Sequence, residues 1–184
     1  MRFIGKAIFL TLALGIVSAC AQAARPTAFV AEVTDATLLP EGSPLAASVE
    51  VGTVSGGEET NPAWKSNVST EAFETALNQS LAVTALLAPQ GGPLKVDAEL
   101  IELDQPIVGL SMTVTSTARY MVTDAAGATV FDETIITPHT AEFSEAFLGV
   151  ERLRLANEGS MKKNISRFIE LLIEQSEADP AKFS

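Results

Sequence analysis

The clearest alternation of hydrophobic and polar positions lies between residues 110 and 123. Polar residues there, many of them threonines, alternate with the apolar set Leu110, Met112, Val114, Ala118, Tyr120 and Val122; Ser116 and Met121 break the pattern. A period of two predicts a strand with one buried face, and β-branched threonines suit its exposed face. Residues 124–127 predict a turn and residues 128–137 a returning strand, so we expect an antiparallel hairpin.

Two further strands are predicted upstream of this hairpin. Residues 45–54 contain Val49, Val51 and Val54 and indicate a first strand. Residues 94–100 alternate between apolar and charged positions, which is typical of a half-buried strand. The alternation slips at Ile101 and Leu103, which indicates a β-bulge or a twist at that point.

Two segments carry helical spacing. Ser69 or Thr70 can cap a helix of about five turns, which is expected to end near the break at residues 89–93. Residues 144–176 predict a second helix, in which Gly159 either produces a kink or separates two helices. Its apolar stripe consists of Phe147, Val150, Leu153, Met161, Ile165, Phe168 and Leu172.

The predicted order of elements is β-α-β-β-β-α, which indicates an α+β fold. An antiparallel sheet of about four strands, with both amphipathic helices packed on one face, satisfies this order. The folded domain is expected to span residues 45–176, with a frayed tail at residues 177–184.

The first 20 residues have a different pattern. Arg2 and Lys6 form a short basic region, and residues 7–19 are almost wholly apolar. As a helix this run spans about 20 Å, less than the roughly 30 Å hydrocarbon core of a bilayer. Residues 1–19 therefore predict a signal peptide rather than a transmembrane helix.

The apolar run ends in Val17, Ser18, Ala19 and Cys20. This ending resembles the lipobox of bacterial lipoproteins: a branched apolar residue, two small residues and a cysteine. The resemblance implies that the lipoprotein signal peptidase recognises Val17, Ser18 and Ala19 and leaves Cys20 as an acylated N-terminus. The alternative is an ordinary secretory signal that is cleaved nearby, after Ala21 or Ala23.

The resemblance to bacterial lipoproteins carries an expectation about location. One acyl chain binds a membrane only marginally, whereas two or three chains on one cysteine anchor a protein firmly. In Gram-negative lipoproteins an aspartate directly after the cysteine favours retention in the inner membrane, and this chain has Ala21 there. The resemblance thus implies the periplasmic face of the outer membrane.

Residues 20–44 are predicted to be the lipidated cysteine and a tether. They contain Pro26, Pro40, Gly42 and Pro44 and few periodic apolar positions. In a polyproline-like form, at about 3.1 Å per residue, such a tether would reach roughly 70 Å.

The chain is acidic, with a formal net charge of −11. Without residues 1–19, 10 basic and 23 acidic residues remain, a net charge of −13. Such a surface repels phosphate, so nucleic acid is not expected as a partner. It also repels anionic lipid headgroups, so electrostatics would not hold the folded part on a membrane.

The sequence offers little catalytic chemistry. Cys20 is the only cysteine and His139 the only histidine, so neither an internal disulfide nor a metal site of the usual His/Cys type is expected. Asp97, Glu99 and Glu102 lie on or near one strand, where a solvated strand face is the favoured interpretation. Because no nucleophile–base pair is evident, we expect a protein without enzymatic activity, metal or cofactor.

Three residues are candidates for contact with a partner protein. Trp64 lies in an Asn-Pro-Ala-Trp loop, where an aromatic side chain either anchors a partner or folds back over the core. Arg152 and Arg154 belong to the basic positions of the second helix, which either meet an acidic partner or pair with neighbouring acids.

The layout of residues 45–175 resembles the small α+β outer-membrane lipoproteins and the auxiliary lipoproteins of envelope ABC transporters. The resemblance rests on the element order and on the asparagine-proline-tryptophan loop before the first helix. It implies a non-enzymatic accessory subunit or scaffold in envelope assembly, maintenance or transport, which binds another envelope protein. The alternative is a carrier that holds a lipid or other apolar ligand between sheet and helices, in a pocket lined by Met112, Tyr120 and Phe168.

Overall fold

A computed structural model describes residues 22–60 and 66–183. The strands are β1 (Val49–Ser55), β2 (Leu94–Asp104), β3 (Met112–Thr123) and β4 (Thr129–Ala141), and the α-helices are α1 (Thr70–Val83) and α2 (Gly149–Ala178). Short 3-10 helices span Pro26–Phe29 and Pro180–Phe183. The α+β class and the order β-α-β-β-β-α are therefore confirmed.

The four strands form one sheet in the order β1-β2-β3-β4. β2, β3 and β4 pair antiparallel, as predicted, whereas β1 pairs parallel to β2. The sheet is therefore mixed rather than wholly antiparallel. The reason is that α1 lies between β1 and β2 in the chain and returns it to the end of the sheet where β1 began.

The predicted irregularity at Ile101 is present. Leu100 pairs with Ala118 but Glu102 pairs with Thr117, so β2 carries one extra residue at this point. A bulge of this kind bends a strand and increases its twist. Beyond it, the partly buried Leu103 packs against both apolar clusters of the domain.

Both helices cover the same face of the sheet, as predicted, and they meet over Tyr120. The Tyr120 ring stacks on Phe168 of α2 with 4.3 Å between ring centroids, and it meets Phe73 of α1 edge-on at 6.1 Å. All three side chains have no solvent exposure. Offset and edge-to-face contacts of this kind stabilise a pair of rings beyond the area that they bury.

α1 begins as the sequence predicts and ends about a turn early. The Ser69 hydroxyl accepts a hydrogen bond from the Ala72 N–H at 3.2 Å, which caps the first turn. After Val83 the chain turns through Ala85, whose φ is 61°. The Leu86 carbonyl then accepts the Val49 N–H at 3.0 Å, which ties the exit of α1 to the start of β1.

α2 is one continuous helix, so Gly159 does not divide it into two. Its role is close packing, because a Cβ at Gly159 would lie 2.0 Å from the His139 ring. The absence of a side chain at Gly159 lets α2 approach the His139 ring of β4 this closely. The helix starts at Gly149, so the predicted helical positions 144–148 belong to the β4–α2 loop.

The predicted tether and frayed tail are corrected for residues 22–44 and 177–183. Phe29 has no solvent exposure, and the 3-10 helix that carries it contacts both α1 and α2. The Ala31 N–H donates to the Ser80 hydroxyl of α1 at 2.9 Å. At the other end of the chain Phe183 is 1% exposed. These segments are packed because their phenylalanines fill spaces that the sheet and the two α-helices leave open.

A buried polar network holds α2 against β3 and β4. The Asn164 amide donates to the Ile135 carbonyl at 2.9 Å and to the Ser116 carbonyl at 3.2 Å, and it accepts the Tyr120 hydroxyl at 2.8 Å. The Ser160 hydroxyl lies 2.8 Å from that of Ser116. Ser116 therefore breaks the strand alternation because its side chain has a polar partner inside the protein.

We predict that Asn164→Ala lowers the free energy of unfolding by about 2–4 kcal/mol, because it leaves buried groups without their partner. The matched control is Asn78→Ala, whose amide donates only to the Glu74 carbonyl at the helix surface. We expect the control to cost less than about 0.5 kcal/mol. Urea unfolding followed by circular dichroism measures both variants, and equal losses would contradict the assigned role of Asn164.

Candidate functional site

The sequence-predicted site residues separate into two groups. Cys20, the recognition residues Val17, Ser18 and Ala19, and Trp64 lie outside the described residues. Arg152 and Arg154 lie in the first turns of α2, and both are buried, with 5% and 4% exposure. The interpretation of these two arginines as a solvent-facing partner surface is therefore corrected, because each is engaged inside the protein.

Arg154 lies at the centre of a partly buried ion-pair cluster. Its guanidinium donates to Glu158 at 2.5 Å and also pairs with Glu151. Arg25 joins from the N-terminal segment, with its backbone N–H 2.9 Å and its side-chain Nε 3.2 Å from the same Glu158 oxygen. The hydrogen bond from Arg154 holds the pKa of Glu151 below its ordinary value, against the opposing effect of burial.

The first described residues are fastened to the domain by hydrogen bonds. The Gln22 carbonyl accepts the Ser66 hydroxyl at 2.7 Å, and the Ala24 N–H donates to the Asn67 carbonyl at 3.2 Å. We call the residues of this region the N-terminal junction: Gln22, Ala24, Arg25, Ser66, Asn67 and Glu158. Through it the chain enters the domain without a free tether at residues 22–25.

Gln105, directly after β2, connects the N-terminal junction to the β2–β3 loop. Its amide donates to the Ser66 carbonyl and to Asn157 of α2, each at 2.9 Å. Asn157 in turn donates to the Ser66 carbonyl at 2.8 Å. Ser66 therefore links the two segments, because it is hydrogen-bonded both to Gln105 at the start of the β2–β3 loop and to Gln22.

Arg152 holds two loops together at the same end of the sheet. Its guanidinium donates to the carbonyls of Ala146 and Phe147 at 2.7 and 2.9 Å, and to the Gly109 carbonyl at 3.1 Å. It also lies 5.0 Å from the centre of the Phe143 ring, a cation–π contact. A planar guanidinium is suited to this task because it presents several donors in fixed directions.

The loops that Arg152 joins present exposed hydrophobic side chains, which we call the apolar loop end. Its members are Ile107, Val108 and Leu110 of the β2–β3 loop and Phe143, Phe147 and Leu148 of the β4–α2 loop. Ile107 is 96% exposed, Val108 82% and Phe147 81%. Between the β2–β3 loop and the first turns of α2 lies a mainly apolar cleft of about 540 Å³ with Met112 and Leu153 among its lining residues. Contiguous exposed apolar surface of this kind marks sites of interaction with proteins or membranes.

The local sequence pattern conceals part of this surface, because it predicts regular structure for some of its residues. It predicts a strand face for Leu110 and a helix stripe for Phe147, whereas both lie in loops. One signal was available: residues 105–111 combine a proline and a glycine, which favour a loop, with two adjacent branched apolar residues and no charge.

The interior pocket of the carrier alternative is packed with side chains. Tyr120 and Phe168 are fully buried and stacked on each other, and burial raises the pKa of the Tyr120 hydroxyl. Met112 lies away from them, in the second apolar cluster, and lines the cleft at the apolar loop end. The three residues therefore do not line a common space between sheet and helices.

Asp97 of β2 and the histidine His139 make contacts within the fold. Asp97 accepts the Thr53 N–H at 2.6 Å across the parallel pair. Across residues 22–60 and 66–183, no grouping of three or more His, Cys, Asp or Glu side chains is arranged to hold a metal. His139 packs over Gly159 and is half-buried. Burial, and then the nearby Lys163, lower the pKa of His139 below 6.5, while Glu145 raises it.

Solved structures that are similar to this chain are known from several bacteria. A Xanthomonas campestris protein of the DUF330 family superposes with a TM-score of 0.56 at 8% identity, over 78% of this chain and 94% of its own. A hypothetical protein of Chlamydia trachomatis gives 0.48 at 11% identity, over 72% and 98%. A candidate lipoprotein of Caulobacter crescentus gives 0.47 at 14% identity, over 74% and 94%. The first of these similarities shows a shared fold.

Neither a protein-family model nor a curated protein matches the sequence. Among the described helices, none is both long enough and apolar enough to cross a membrane.

We predict that Arg152→Lys loosens the apolar loop end. A single ammonium group cannot satisfy carbonyls of both loops, so backbone amides in residues 105–111 and 142–148 should exchange with deuterium about tenfold faster. Amides in the C-terminal half of α2 should be unaffected. Arg167→Lys is the control, because Arg167 forms exposed ion pairs with Glu170 and Glu174 on α2. Unchanged exchange in both loops of Arg152→Lys would contradict the assigned role.

We predict that His139 makes the domain less stable as the pH falls. Because the pKa of His139 is lower in the folded protein than in the unfolded chain, the unfolded state takes up the proton first. Its contribution is therefore favourable above about pH 7 and is lost as the pH falls through the lowered folded value. Urea midpoints at about pH 7.5 and about pH 5.5 should differ less in His139→Gln. An identical pH dependence in both proteins would refute this assignment.

Proposed function

We propose that this protein is a lipid-anchored, non-enzymatic lipoprotein of the bacterial cell envelope. Acyl chains on Cys20 hold it on the periplasmic face of the outer membrane. Its domain acts as an accessory subunit or scaffold for another envelope protein in assembly, maintenance or transport.

The observation that carries the proposal is the position of the N-terminal junction. Only Ala21 separates Cys20 from Gln22, whose carbonyl is hydrogen-bonded to Ser66 of the folded domain. Two residues reach at most about 7 Å. An acylated Cys20 would therefore hold the domain directly at the membrane surface, which suits a scaffold that works there better than one at the end of a long tether.

The buried polar groups support a structural rather than a catalytic role. Ser116, Ser160 and Thr137 are hydrogen-bonded to one another, and Tyr120 is bonded to Asn164. These hydroxyls stabilise the contact between α2 and the sheet, and those of Ser116, Ser160 and Tyr120 belong to residues with no solvent exposure. The filled space around Tyr120 and Phe168 likewise favours a scaffold over a carrier with an interior ligand pocket.

Two regions offer contact with a protein partner. The face of the sheet opposite the helices carries polar side chains, among them a bidentate ion pair between Arg119 and Asp132 with both nitrogen–oxygen distances at 2.7 Å. Trp64 stays a predicted anchor in the loop before α1. Both regions include polar groups, unlike the apolar loop end. Polar groups select a partner through directional contacts.

The anchoring is tested by two substitutions beside the predicted cleavage site. We predict that Cys20→Ala removes the acyl mass and moves the protein from the membrane fraction to the soluble periplasmic fraction. Ala21→Asp should keep the acyl mass but shift the protein from outer-membrane to inner-membrane fractions. Intact-mass analysis and density-gradient fractionation of a Gram-negative host measure both. A wild-type product without acyl mass would refute the anchor.

The scaffold role is tested by crosslinking in intact cells. A photoreactive amino acid at Trp64 or at Arg119 should capture one defined envelope protein, and the same amino acid at the exposed Glu177 should not. Deletion of the captured protein should then reproduce the phenotype of deleting this chain. Capture that is equal at all three positions would contradict a specific partner surface.

A further inference from the structure

We propose that the apolar loop end is a membrane-docking surface, which inserts into the headgroup region of a phospholipid bilayer and sets the orientation of the domain. This inference rests on the proposed acylation of Cys20 and adds to it a second, separate contact with the lipid.

The geometry places both loops at one end of the sheet. Met112, the first residue of β3, pairs with Ala141, the last residue of β4. The loops before β3 and after β4 therefore project from the same end of the sheet. Arg152 bonds to carbonyls of both loops. The exposed side chains therefore form one surface that is held by the fold.

The same end of the domain receives the chain from Cys20. Gln22 is hydrogen-bonded to Ser66, and Ser66 is hydrogen-bonded to Gln105. Gln105 in turn lines the cleft at the apolar loop end, together with Ile107 and Val108. A bilayer that holds the acyl chains would therefore lie within reach of these loops at all times. Such tethering gives the second contact a high effective concentration, so a modest apolar surface is sufficient.

The chemistry of the surface fits uncharged lipid. Residues 105–111 contain no acidic or basic side chain. The other loop carries two exposed acids, Glu142 and Glu145, and the Glu145 carboxylate accepts the Glu142 backbone N–H at 2.6 Å, which caps the turn. With a net charge of −13 after residue 19, the protein is repelled by anionic headgroups, so the contact must be hydrophobic. Phenylalanine and branched aliphatic side chains are those expected at such an interface.

The hairpin turn between β3 and β4 supplies an internal control. It lies at the far end of β3, which at about 3.3 Å per residue is roughly 40 Å from the apolar loop end. Ala126 in this turn is exposed. If the apolar loop end contacts the bilayer, the turn faces away from it.

The experiment uses the mature, acylated protein reconstituted in protein-free phosphatidylcholine vesicles. A single environment-sensitive fluorophore is attached through Val108→Cys or through Ala126→Cys, since the native Cys20 is acylated and unreactive. We expect a blue-shifted emission at position 108 and quenching by headgroup-level nitroxide lipid at least about threefold stronger than at position 126. Raising the salt to about 1 M should leave this quenching unchanged, because no basic side chain contributes.

A double variant provides a second measurement. Ile107→Gln with Phe147→Gln replaces two exposed side chains, so the fold is expected to persist, which circular dichroism checks. The labelled position 108 should then lose most of its quenching while the acyl mass is retained.

The outcomes separate the two proposals. An acylated protein whose label at position 108 is as water-exposed as that at position 126 overturns the docking surface and leaves the anchor intact. A label that becomes shielded only when envelope proteins are added also overturns it, in favour of protein binding. A product without acyl mass refutes the anchor, and this inference with it.

Discussion

Two arginines on the first turns of α2 point to opposite sides of the helix and hold separate parts of the chain. Residues two positions apart on an α-helix point about 200° away from each other. Arg152 consequently reaches the carbonyls of the β2–β3 and β4–α2 loops, while Arg154 reaches Glu158 and, through it, Arg25. Burying a guanidinium costs free energy that its hydrogen bonds must offset. The terminal nitrogens of Arg152 find carbonyl acceptors in both loops, while its buried Nε has no partner among the described residues, so the observed positions of the two loops matter to the stability of this contact.

The rest of the domain is organised around a close contact between α2 and the sheet. Gly159 lets the helix backbone approach His139, and the Asn164 amide reaches sheet carbonyls that a more distant helix would leave to water. The stacked rings of Tyr120 and Phe168 fill the space beside this contact. Because the polar and aromatic contacts share one helix face, a change in helix position would break both sets together.

The distribution of apolar surface gives the domain two distinct ends. One end carries the apolar loop end beside the N-terminal junction, and the other ends in the hairpin turn at residues 124–128, which has no large apolar side chain. An acidic protein with such an arrangement gains nothing from electrostatic attraction to a bacterial membrane. In the proposed model its attachment and its orientation both come from apolar groups: the acyl chains and the loop side chains.

The amino-acid sequence by itself determined the α+β class, the order of elements, the β3–β4 hairpin and the bulge near Ile101. These follow from local periodicity and turn residues, which act over a few positions. Only the tertiary structure decided that β1 runs parallel to β2, that Arg152 and Arg154 are buried, that Phe29 and Phe183 pack into the core, and that Ile107 and Phe147 are exposed. Burial and pairing depend on which surfaces distant segments bring together, and the local pattern of charged or apolar residues does not determine that.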